Sequence, residues 1–134
     1  MILEDIMDQI GQRLDSIDGL RTAAYEADDV QVPAAIVSLP PNITYSETYN
    51  RGMDSITLIV TILVSLANAR IRRDQIAVYA DGVGPKSVKA VLESGSYTAF
   101  DTIFISTAQF MVVDIAKLSY LSVVFTANVT GRGN

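Results

Sequence analysis

Between residues 56 and 65 the chain alternates with a period of two. Ile56, Leu58, Val60, Ile62 and Val64 form one wholly apolar face, and Thr57, Ile59, Thr61, Leu63 and Ser65 form a mixed one. Ile, Val and Thr are stiff at the first side-chain torsion and pack well on a pleated surface, so the run predicts a long, largely buried strand. A membrane helix needs roughly 20 apolar residues, and this run is too short. The arginines that follow belong to the next element. Asn68 is the expected N-cap of a helix that sets Ile71, Ile76 and Ala80 on one side and leaves Arg70, Arg72 and Arg73 in solvent.

The same patterns place the other elements. Ile2, Leu3, Ile6, Met7, Ile10, Leu14 and Ile17 recur at three- and four-residue steps, which predicts an amphipathic N-terminal helix ending near Gly19. Residues 20–25 are expected to be extended, and Ala34 to Leu39 to form a short strand stopped by Pro40-Pro41. Asp81-Gly82 ends the arginine-bearing helix, and Gly84-Pro85 opens another with Val88, Val91 and Leu92 as its stripe. Phe104 to Asp114 and Leu118 to Val129 alternate as a strand pair joined at Ala116-Lys117, a turn without the expected glycine or asparagine.

Strands grouped in this way predict an α+β fold. The expectation is a mainly antiparallel sheet with helices packed on one face, an N-terminal helix, and two short helices between the central long strand and a C-terminal strand pair. With 134 residues, 49% hydrophobic and 19% charged, the chain fits one domain spanning 1–134, with a projecting loop at 40–55 and a flexible tail at 131–134.

Composition narrows the chemistry. Cysteine and histidine are both absent, which removes thiolate and imidazole ligands and the Ser-His and Cys-His nucleophile pairs. The stretch DGVGPKSV at 81–88 resembles a phosphate-binding loop only faintly: Pro85 separates Gly84 from Lys86, and a helix rather than a strand precedes it. Asp28-Asp29 lacks the further oxygen ligands of a cation site. The acidic start of MILEDIMDQI is unlike a secretory signal, so the NIT and NVT sites at 42 and 128 are not expected to meet glycosylation machinery. No enzyme activity, cofactor, metal or membrane association is expected.

Charge is segregated along the chain. Residues 1–29 carry eight acids against Arg13 and Arg21, and residues 70–89 carry five basic residues against Asp74 and Asp81. Such asymmetry suits copies that meet acidic side to basic side, although ordinary solvated helix faces look the same. A net charge of −5 opposes nonspecific phosphate binding by Arg70, Arg72 and Arg73. Tyr45, Tyr49, Arg51 and Met53 are large contact-forming residues in the polar connection after Pro41, and they are the second set of interface candidates.

The order of four stretches resembles a known family. These are the short helix closed by IDGLR, then VPAAIVSLPPNITYSETYNRGMD, then AVYADGVGPKSVKAVLES, then FMVVDIAKLSYLSVVFTANVTG. Together they resemble the small tail terminator, or tail completion, proteins of long-tailed bacteriophages, especially actinobacterial phages. The resemblance implies an α+β subunit of a ring, typically of six copies, at the head-tail junction of the virion. Such a ring caps the last layer of tail-tube protein, stops polymerisation, offers a surface to the head-tail connector or stopper protein, and lets genomic DNA pass without sequence-specific binding. Assembly would take place in the host cytoplasm. The runner-up is another neck component, a head-completion or stopper protein, and a non-viral adaptor domain stands behind it.

Overall fold

The computed structural model describes residues 3–17, 19–23, 33–44, 53–65, 69–115 and 117–132. In chain order the elements are α1 (Leu3–Asp15), β1 (Arg21–Ala23), β2 (Ala34–Thr44), β3 (Met53–Ser65), α2 (Ala69–Ala80), α3 (Val88–Glu93), β4 (Thr102–Ile115) and β5 (Leu118–Arg132). The five strands form one sheet in the order β1-β2-β3-β5-β4. Only β1 and β2 run parallel; every other neighbouring pair is antiparallel. The fold is therefore α+β, with a mixed sheet and, among the described residues, three helices.

The alternation of β3 decides which side the helices occupy. Ile56, Leu58, Val60, Ile62 and Val64 are all buried, in one cluster with Val123, Phe125, Ala127 and Val129 of β5. Ile6, Ile10 and Leu14 of α1, Ile76 and Tyr79 of α2, and Val88 and Leu92 of α3 join that cluster, so all three helices share one face of the sheet. Each large apolar side chain removed from water there contributes roughly 1.5–3 kcal/mol before the entropy of ordering it. On the opposite face Ala34, Ile36, Leu63 and Tyr120 form a smaller buried group. The run after residue 56 is thus a central strand, and no helix among the described residues is long and apolar enough to cross a membrane.

Four local differences from the sequence pattern have physical causes. Pro40-Pro41 does not stop β2: the strand continues to Thr44, and the prolines fall in a register irregularity between Ser38 and Asn42, where pairing with β3 is interrupted. In α2, Ile71 is 63% exposed, whereas Ile76 and Tyr79 are buried. A five-residue step turns a helix by about 140° at 3.6 residues per turn, so Ile71 and Ile76 cannot share a face. Helix α3 begins after Ser87, not at Pro85. The Ser87 hydroxyl accepts the Ala90 amide at 3.1 Å as N-cap and donates to the Asp81 carbonyl. Finally, β5 extends through Arg132, with Gly131 and Arg132 opposite Asp54 and Met53.

The β4–β5 turn is closed by Lys117, whose φ of 69° is left-handed, the conformation a glycine would adopt without steric cost. Replacing Lys117→Gly should raise stability by about 1 kcal/mol, read from chemical denaturation, because the left-handed penalty at Cβ disappears. In the core, Leu58→Ala is expected to cost about 2–5 kcal/mol in the same assay.

Candidate interaction surfaces

The structure distributes the predicted contact residues unevenly. Tyr45, Tyr49 and Arg51 lie outside the described residues. Met53 opens β3 opposite Arg132, and Arg70 stands in the first turn of α2. Arg72 and Arg73 diverge, as neighbours on a helix must. Arg72 is half-buried, donates from Nη1 to Gln75 Oε1 at 2.8 Å, and keeps a buried Nε with no hydrogen-bond partner. Arg73 is exposed and forms a 3.4 Å ion pair with Asp74, both side chains about 70% exposed. A pair that open to water contributes little, so Arg73 is energetically free to take another acidic partner.

The acidic counterpart sits on α1. Glu4, Asp5 and Asp8 are exposed, while Leu3 and Met7 beside them are only partly buried and border a shallow apolar depression. Acids in the first turn also suit the positive end of the helix dipole. Asp15 is committed elsewhere, accepting from the Thr22 amide at 2.8 Å and the Thr22 hydroxyl at 2.6 Å. Helix α1 packs on β1, β2 and α3, whereas α2 packs on β3, β5 and α3. The acidic and basic faces therefore occupy different parts of the molecule.

A polar cleft between α1 and residues 96–98 is lined by Gln9, Gln12, Arg13, Ser16, Ser96, Tyr97 and Thr98. Its main polar groups already hold the fold together. Gln9 accepts the amides of Thr98 and Ala99 at 3.1 and 3.2 Å and donates to the Thr98 hydroxyl at 2.7 Å. Arg13 donates to the Val91 carbonyl and to Ser94. Tyr97 donates to the Leu92 carbonyl at 2.6 Å and stacks on Phe100, and burial pushes its phenol above the usual range despite the nearby Arg13 charge. The cleft is a buckle between α1 and the loop after α3. The loop at 81–88 is likewise structural, since Ser87 is fully buried and caps α3. Among the described residues no group of three or more acids could hold a metal ion.

The surface that sequence inspection did not single out is β4. Every residue from Ser106 to Val112 is exposed, on both faces of the strand. Phe110 and Val112 stand on the helix-bearing face, opposite Val123 and Leu121, at 53% and 57% exposure. Met111 is exposed on the other face, and Leu118 follows in β5. From Thr102 to Val113 there is no charge, proline or glycine, so the side-chain safeguards of an edge strand are missing. The alternation Phe104 to Asp114 was visible in the sequence, but which strand lies at the edge depends on sheet order.

Helix α3 closes one part of this edge. The Glu93 carboxylate accepts the Ile105 amide at 2.9 Å, Lys89 approaches the Ile105 carbonyl at 3.5 Å, and Lys89 and Glu93 pair at 2.6 Å. Lys89 also lies 4.8 Å from the centre of the Phe104 ring. A bulge comes next, between Ile105 and Thr107, and beyond it the cap ends.

No protein-family model matches this chain, and no curated protein matches it either.

The cap at Ile105 predicts a pH response. Partial burial pushes the Glu93 carboxyl up, but hydrogen bonds from Lys89 and the Ile105 amide, with the Lys89 charge, outweigh it and hold the group below its ordinary 4.5. A depressed carboxylate stabilises the fold above its unfolded-state value and loses that contribution as pH falls through the folded-state value. Amide exchange at Ile105, compared with the intrinsic rate at each pH, should thus lose protection below pH 4.5, and Glu93→Gln should flatten the loss.

Proposed function

We propose that this chain is a structural virion protein: a subunit of a ring that caps a phage tail tube, ends tube polymerisation and serves the joining of head to tail. The reading rests on the ordered resemblance to tail terminator proteins. The observation that carries it is the separation of exposed Glu4, Asp5 and Asp8 on α1 from Arg73 and the incompletely bonded Arg72 on α2. Complementary patches on different parts of one chain favour heterologous contacts, which close into rings when the rotation between copies allows. Opposite potentials would then fix the orientation of each copy against the next.

In this proposal the partners are further copies of the chain, the tail-tube protein, and a connector or stopper protein. The role is one of contact and shape, and no catalytic step is assigned. A net charge of −5 suits a ring around moving DNA, because like charge discourages sticking.

The test of the role is electron microscopy of lysates from a virus lacking this gene. Unattached tails of variable, abnormal length are expected; tails of normal length beside full or leaking heads would overturn the terminator role in favour of a head-side neck component. The test of the contact is Arg72→Glu with Arg73→Glu, which should weaken ring formation severalfold. A doubly substituted chain that still caps tails normally would remove these arginines from the interface.

A further inference from the structure

We infer that the bare part of β4 is a self-pairing edge, through which two free copies of this chain join into a two-fold dimer with one continuous sheet. The inference stands on the sheet edge alone and is independent of the tail reading.

A strand edge offers a row of main-chain donors and acceptors that only another extended chain can satisfy along its length. Here the usable row is delimited at both ends. Glu93 and Lys89 occupy the amide and carbonyl of Ile105, and the turn at Lys117 ends the strand on the other side. Nine residues, Ser106 to Asp114, lie between the cap and Ile115, the last residue of β4, and their midpoint is Phe110.

That midpoint selects the occupant and the register. An antiparallel copy centred on Phe110 uses all nine positions and sets Phe110 opposite its own counterpart. Ala108 then faces Val112, Gln109 faces Met111, and Thr107 faces Val113. Paired side chains lie on one face of a sheet, so the exposed rings of the two Phe110 residues meet on the helix-bearing side, where aromatic cross-strand pairs are favourable. Charge agrees with this register. Asp114, the one charged residue of the nine and already the acceptor of the Ser119 hydroxyl, falls at the end of the pairing, opposite the uncharged Ser106. Sliding towards the turn brings Asp114 inward against Ala108 or Phe110, and sliding the other way runs the partner into the cap at Ile105. For a chain of net charge −5, the eight uncharged residues before Asp114 are also a place where two copies approach with little local like-charge repulsion.

The arrangement is isologous, so it cannot by itself propagate around a ring. It describes the free protein, and a copy entering a ring built on other surfaces would keep or release its β4 partner independently of them.

The test uses the full chain, purified, with light scattering over a concentration series. The expected species has twice the 14.5 kDa chain mass. Phe110→Lys places like charges opposite each other at the two-fold axis and should shift the dimer to monomer, with an unchanged circular dichroism spectrum because the side chain is exposed. The chain has no cysteine, so Phe110→Cys introduces a unique thiol. Mild oxidation should link it to its own copy within the dimer, while Phe104→Cys, beside the cap, should not link. A wild-type monomer up to high concentration would overturn the inference. So would a dimer indifferent to Phe110→Lys, or linking at 104 as fast as at 110, which would mean that another surface makes the contact. Tail lengths in the gene-deleted virus do not bear on these outcomes, so either proposal can fail alone.

Discussion

The pairing of β3 with β5 is the constraint on which the rest of the structure depends. All thirteen residues of β3 are matched along β5, and the apolar face of one continues into that of the other. Once Leu58, Val60 and Ile62 stand beside Val123, Phe125 and Ala127, the sheet has one strongly apolar side, and the three helices must lie over it. β2 and β4 then take the two flanks. β2 gains a further strand in β1, while β4 is left at the border with a helix of only six residues to shield it.

That short helix explains why β4 divides into two parts. Lys89 and Glu93 lie one turn apart on α3, and their reach covers the main-chain groups of Ile105. The bulge at Ser106 carries the strand past them. Beyond the bulge runs an edge with apolar side chains on both faces and no charge before Asp114, a composition more common inside interfaces than on free surfaces. Charge is concentrated elsewhere, on α1 and α2. The molecule thus presents two kinds of exposed surface: charged helix faces on α1 and α2, and a strand edge whose residues up to Val113 carry no charge.

Much of the fold was legible in the residues. The alternation of β3 and of Leu121, Val123, Phe125, Ala127 and Val129 in β5 marked the core face of the sheet, and the three- and four-residue steps of Ile6, Ile10 and Leu14 marked the buried side of α1. The errors arose where local rules meet tertiary context. Proline opposes regular pairing, yet an irregularity in the register of β2 accommodates two of them. Lys117 adopts a glycine-like φ because the strands on either side impose it. Of the predicted contact residues, Arg73 is exposed as expected and Arg72 is half-buried and bonded to Gln75 of its own helix. The bare edge of β4 could not be seen in advance, since nothing within TIFISTAQFMVV states that, among the described residues, no sixth strand lies beside it.

The central claim is that β4 has a capped half and a half that becomes covered by protein. Hydrogen exchange across this strand, measured by mass spectrometry on dilute and on concentrated protein, tests it most directly. The account predicts that exchange at 102–105 is the same in both, while amides in 107–113 that point away from β5 slow markedly at high concentration. Equal exchange at 107–113 in the two samples would contradict it.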